Sequence, residues 1–99
     1  MGSWALVTGA SSGIGAAFAR QLAGRGMHVA VVARSRDRLE ALAAELRESC
    51  GVEALVVAED LAVPDAADRV AAAVAGIEVE VLVNNAGIGT FGRDVSIGA

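Results

Sequence analysis

The stretch Thr8-Gly-Ala-Ser-Ser-Gly-Ile-Gly15 leaves this chain few folds to choose from. It follows a short apolar run, Trp4 to Val7, and precedes a helical pattern, which makes it a strand-to-helix turn. The first peptide N–H groups of a helix lack intrahelical acceptors and sit at the positive end of its dipole. Such a turn therefore receives an anion without any charged side chain. Glycine answers three needs there: φ > 0 for a tight turn, a backbone that a pyrophosphate can approach, and a helix packed close to its strand. Gly9, Gly13 and Gly15 can serve those three needs.

Beyond the turn, strand and helix patterns alternate. Ala16 to Ala23, with Phe18 and Leu22 at i and i+4 as its packing residues, reads as a helix stopped by Gly24 and Gly26. His28 to Ala33 is a near-continuous apolar run with three valines, the mark of a strand buried on both faces of a parallel sheet. His28 has no partner cluster and is assigned a structural role. Ser35 can cap a second helix that turns Leu39, Leu42, Ala43 and Leu46 inward, leaves Glu40, Arg47 and Glu48 solvated, and ends at Gly51.

Ala54 to Ala58 forms a third strand, followed by Glu59-Asp60-Leu61. Pro64 fits the first turn of a third helix with Ala67, Val70, Ala71 and Val74 as its inner stripe. Asp65 and Arg69 are expected to pair on its outside, and Gly76 to close it. Val79 to Val83 is a fourth strand, and Asn84-Asn85-Ala86-Gly87 a turn at its carboxyl end. Units of this kind predict an α/β fold, a Rossmann-type doubly wound parallel sheet with right-handed crossovers and strand order 3-2-1-4. The ligand crevice then opens at the carboxyl ends of strands one and four, where the turns at Thr8 and Asn84 meet.

Composition agrees with one small domain. In 99 residues, hydrophobic side chains make up 55% and aromatics only 3%, a balance that suits strands between closely approaching helices. The net charge of −4 speaks against a nucleic-acid or anionic-membrane partner. It is unevenly spread, with +4 through residue 38 and −8 after it, so positive charge is concentrated early. Cys50 is the single cysteine and His28 the single histidine, which gives neither an internal disulfide nor a metal-ligand set and points to a reducing cytoplasm. No apolar run approaches a membrane span, the turn begins too early to leave room for a cleaved leader, and Leu6 stands where Gly2 myristoylation would need Ser or Thr.

The glycine spacing fits neither G-x-G-x-x-G nor a P-loop, which requires a lysine that this chain lacks. It matches T-G-x-x-x-G-x-G, and on that motif the chain resembles the short-chain dehydrogenase/reductase family. Extended members space their glycines T-G-x-x-G-x-x-G, and Ser12 stands where the second would be. The resemblance spans essentially the whole chain, and the wording "ARSRDRLEALAAEL" looks like the bacterial and ketoreductase-like branch. It implies a dinucleotide held at Gly9, Ser11, Ser12, Gly13, Ile14 and Gly15. About twenty positions after such a turn, an acid would take the ribose hydroxyls of NAD and repel a 2′-phosphate. Ala33 stands there instead, with Arg34 and Ser35 after it, so NADP is expected over NAD. Arg34, Arg36 and Arg38 also oppose the dipole of the helix they open, which favours a functional reason for at least one of them. Asp60 with Leu61 resembles the family's acid that accepts from the adenine amino group. Asn84-Asn85-Ala86-Gly87 matches its N-N-A-G motif, whose asparagines brace the central strand and whose backbone borders the cofactor ribose.

Family members pass hydride to or from the nicotinamide using a Ser…Tyr-x-x-x-Lys arrangement beyond that motif. This chain contains no tyrosine and no lysine and ends at Ala99, so no catalytic residue is assigned; Ser11, Ser12 and Ser96 have no visible base partner. The expectation is the cofactor-binding part of an NADP-dependent oxidoreductase of small carbonyls or alcohols, its catalytic portion absent. Assembly as a homo-oligomer is expected only with the missing helices that make the family's dimer. In the 99 residues alone, Val79, Val81, Leu82 and Val83 would form an apolar sheet edge that invites association. The alternative is a free-standing, non-catalytic nucleotide-binding or interaction module.

Overall fold

A computed structural model describes residues 3–85 and runs β1 (Trp4–Thr8), α1 (Gly13–Gly24), β2 (His28–Ala33), α2 (Arg36–Cys50), β3 (Ala54–Ala58), α3 (Ala66–Ala73) and β4 (Val79–Asn84). All pairings are parallel, in the order β3-β2-β1-β4, as expected. Period-two alternation sorts each strand between two cores. Ala5, Val7, Val29, Val31, Ala33 and Ala54 face α1 and α2, while Leu6, Ala30, Val32 and Val57 face Val70 of α3. Because helices cover both faces, the central strands β1 and β2 can be apolar almost throughout. Among the described residues, no helix is long and apolar enough to cross a membrane.

Helix α2 is bounded by cap chemistry. Ser35 Oγ accepts the Arg38 N–H at 3.5 Å, and Gly51 ends the helix in the left-handed region at φ 69°. Fully buried Leu39 and Leu46 anchor it, each such burial being worth about 1.5–3 kcal/mol. Of its solvated face, Arg47 reaches back to donate to the Ala54 carbonyl of edge strand β3 at 2.6 Å. Between α1 and α2, Arg20 donates to both carboxylate oxygens of Glu45, at 2.6 and 3.2 Å. That hydrogen bonding holds the Glu45 carboxyl below its usual range, so the pair's stabilisation is present at neutral pH and lost as acid protonates the carboxylate. Both side chains are exposed, and the contribution is small. His28 is structural, as expected: its Nδ1 accepts the Glu53 N–H at 2.9 Å and its ring lies 5.2 Å from that of Trp4.

Several local expectations require correction. Helix α1 begins at Gly13, three residues before the apolar pattern, and buries mostly small residues, Gly15, Ala19 and Ala23, beside Leu22; Phe18 is only half-buried. Pro64 lies outside α3, which starts at Ala66 after turns closed by Val63 N–H to Asp60 O and Ala66 N–H to Val63 O. The buried stripe of α3 is Ala66 and Val70, continued by half-buried Val74 and Ile77, while Ala67 and Ala71 are exposed. Adjacent alanines give the periodicity too little contrast to choose a face. The Arg69 guanidinium hydrogen-bonds Glu59 at 2.7 Å, while Asp65 attracts it without a side-chain hydrogen bond, and the helix is capped by Val74, not Gly76. β4 is an edge of the described sheet, with Val79, Val81 and Leu82 half-exposed.

Candidate cofactor-binding site

At the end of β1 the chain reverses on Gly9, whose φ of 64° is left-handed and whose Cβ, if it had one, would lie 2.9 Å from the Asn85 carbonyl oxygen. The turn closes with Ser12 N–H donating to Gly9 O at 3.1 Å. Ser12 then caps α1, its Oγ accepting the Gly15 N–H at 3.1 Å while its own hydroxyl donates to Gly9 O at 2.9 Å. Gly15 packs so close to the turn that a Cβ there would overlap the Gly9 carbonyl. Around Gly13 the opposite holds, since a Cβ would meet nothing within 4 Å. Thus Gly9 makes the bend, Gly15 allows close packing, and Gly13 leaves open space beside the helix start. Ala16 N–H is taken by Ser12 O, so the amides of Gly13 and Ile14 alone among the first four of α1 have no acceptor among the described residues.

A cavity of about 350 Å³ opens beside this turn at the carboxyl ends of β1, β2 and β3, lined by Gly9, Ser11, Ala33, Arg34, Glu59, Asp60, Leu61 and Ala62. Backbone bonds just past the strands, Ala10 N–H to Val32 O at 3.1 Å and Glu59 N–H to Ala33 O at 2.9 Å, hold its walls together. Arg34 is exposed and has no ionic partner among the described residues, whereas Arg36 sits 3.6 Å from Glu40. Two acids stand in the wall, Glu59 and Asp60, and the charge of Glu59 is matched by Arg69. Asp60 Oδ1 accepts the Ala62 N–H at 3.0 Å, which shapes the loop carrying Leu61.

The turn is also tied to β4. Thr8 Oγ1, fully buried, accepts the Asn85 N–H at 2.9 Å and lies 3.1 Å from Asn84 Oδ1, to which it donates. Asn85 Nδ2 donates to Ser12 Oγ at 3.0 Å and lies 3.4 Å from Gly9 O. Two stretches more than seventy residues apart thereby form one assembly.

A family model described as short chain dehydrogenase matches residues 3–97. The chain belongs to the short-chain dehydrogenase family. Its sequence is 48% identical over 89 residues to a very-long-chain 3-oxoacyl-CoA reductase of Anas platyrhynchos, covering 89% of this chain and 28% of that protein. Against the human 17-beta-hydroxysteroid dehydrogenase type 3 it is 38% identical over 88 residues, 89% of this chain and 28% of the relative. Among solved structures, L-sorbose reductase from Gluconobacter frateurii, complexed with NADPH and L-sorbose, superposes with a TM-score of 0.83 at 45% identity, over 90% of this chain and 35% of that one. A short-chain dehydrogenase from Sphingobium yanoikuyae in complex with NADPH gives 0.80 at 40% identity, over 89% and 35%. The chain therefore spans about a third or less of the length of these relatives.

In this short-chain dehydrogenase chain, Gly9, Ser11, Arg34, Asp60 and Leu61 share the cavity wall, with Gly13 and exposed Ile14 at the adjoining helix start. Ser12, Gly15, Asn84 and Asn85 do not line the cavity; they build the turn. Ser35 is likewise outside the lining, with its hydroxyl engaged at the start of α2. Ala86 and Gly87 lie outside the described residues. Sequence reasoning left Glu59, Ala62 and Thr8 out of the site. Thr8 opens the glycine motif, and its hydroxyl beside the turn is the signal that could have included it.

Proposed function

We propose that this chain is the NADP(H)-binding part of a short-chain oxidoreductase that reduces carbonyls or oxidises alcohols. The observation that carries the preference for NADP is Arg34, an uncommitted guanidinium at the end of β2 beside Ala33, which stands in place of the acid that would repel a 2′-phosphate. The residues fit the dinucleotide at both ends. Open space at Gly13 and two unengaged amides suit a pyrophosphate, and the cavity between Arg34 and Asp60 suits the adenosine. NADPH complexes of similar structures support the same reading. When bound, the nicotinamide would supply the hydride for carbonyl reduction or accept it in alcohol oxidation. The chain's own residues bind and orient: the turn neutralises the pyrophosphate, Arg34 holds the 2′-phosphate, and Arg69 matches the charge of Glu59 in the wall.

Arg34→Ala is expected to weaken NADPH about ten- to a hundredfold, the value of one charge-assisted contact, and to leave NADH nearly unchanged. Titration of both cofactors by nicotinamide fluorescence checks this, and equal losses would reject the role of Arg34. The second reading, a nucleotide-binding module without chemistry, draws on the absence of tyrosine and lysine from the 99 residues. The 99-residue polypeptide is accordingly expected to bind NADPH weakly and to show no NADPH oxidation with aldehydes or ketones above the uncatalysed rate. Measured turnover would exclude the module reading.

A further inference from the structure

We propose that Ser12 is a positioning residue which, with Asn85, clasps the glycine turn to the end of β4 and so presents the amides of Gly13 and Ile14 to the cofactor. This rests on the reading of the turn as a pyrophosphate site. A serine hydroxyl offers one donor and two acceptor positions, and here all three are used inside the protein: donation to Gly9 O, and acceptance from Gly15 N–H and Asn85 Nδ2. Ser12 is therefore not a phosphate ligand. Its work is on the backbone. The four leading amides of α1 are unequal because of it: Gly15 is satisfied by the side chain, Ala16 by the Ser12 carbonyl, and Gly13 and Ile14 stay unengaged. Asn85 fixes the hydroxyl from the end of the adjacent strand β4 and lies against Gly9 itself, where even a methyl group would collide.

Without the clasp, the Gly15 amide regains its need for an acceptor and the turn can rotate away from β4. The effect should fall on the pyrophosphate end of the cofactor and spare the adenosine end, whose cavity wall contains neither Ser12 nor Asn85. Two ligands separate these ends: NADPH, and adenosine 2′-monophosphate, which has no pyrophosphate. Ser12→Ala and Asn85→Ala should each weaken NADPH roughly five- to tenfold, the range of a lost helix cap, while leaving adenosine 2′-monophosphate unchanged. Ser12→Thr, which keeps a capping hydroxyl at an exposed position, should restore affinity. The double variant Ser12→Ala/Asn85→Ala should bind NADPH no worse than the weaker single variant, because the two groups act as a unit. Equal losses for both ligands, or additive losses in the double variant, would overturn the clasp. A ligand-free arm keeps it separable from the functional reading. Denaturation midpoints of the parent, single and double variants should be non-additive, and additive midpoints would reject the clasp even if neither ligand binds. Absence of binding by the parent with non-additive midpoints would instead reject the pyrophosphate reading and leave the clasp standing.

Discussion

Gly15→Ala is expected to lower the unfolding temperature by about 10–20 °C, although it adds a single methyl group. The new Cβ would overlap the carbonyl oxygen of Gly9 and stand 2.8 Å from its carbon and 2.9 Å from Ala10 Cα. All three are backbone atoms, so no side chain can swing aside. Either α1 lifts from β1 or the turn opens, and the tight contacts of Ala19, Leu22 and Ala23 with the sheet are lost. Overpacking of this kind costs roughly 1–3 kcal/mol, and about 4–8 °C per kcal/mol is the scale for a domain of this size. Thermal unfolding followed by circular dichroism measures it. An unchanged midpoint would mean that α1 does not approach the turn as closely as described.

Much of this architecture is legible because its signals are local. The bounds of β2 and β3 follow from apolar runs rich in valine and alanine, and those of α2 from Ser35 and Gly51, whose hydroxyl and left-handed backbone act within one turn of their own positions. β1 and β4 run one residue further than the apolar pattern, through Thr8 and Asn84, because their parallel partners extend the ladder there. α3 is the element that composition hides. Its alanines at 66, 67, 71, 72 and 73 are nearly indifferent to which side faces the sheet, and Val70 decides alone. At the candidate site, the glycines, Arg34 and Asp60 are visible as residue types at a spacing, and the cavity gathers Gly9, Arg34 and Asp60. What the sequence conceals is where hydroxyls and amides find partners. Thr8 and Ser12 are satisfied by atoms 77 and 73 positions away, and the Arg69 guanidinium makes its side-chain hydrogen bond to Glu59 on the preceding loop rather than to Asp65.

Gly13→Val, two residues from Gly15, is expected to do the reverse: retain the fold and abolish NADPH binding. Nothing within 4 Å would meet a Cβ at Gly13, and its φ is not left-handed, so an L side chain is accommodated without strain. Valine in the first turn of α1 also relieves the chain of a glycine's conformational entropy, so the unfolding midpoint should stay within a few degrees of the parent. The same open space is what a pyrophosphate needs in order to reach the Gly13 and Ile14 amides. A branched side chain would fill it and hold an anion beyond hydrogen-bonding distance, removing two donors and the helix-dipole contribution together. The expected loss exceeds a hundredfold, more than that from removing Arg34, because the pyrophosphate is displaced rather than deprived of one contact. Fluorescence titration with NADPH, run beside thermal unfolding on the same preparation, separates the two outcomes. A folded Gly13→Val protein with parental affinity would show that the cofactor does not lie at this turn.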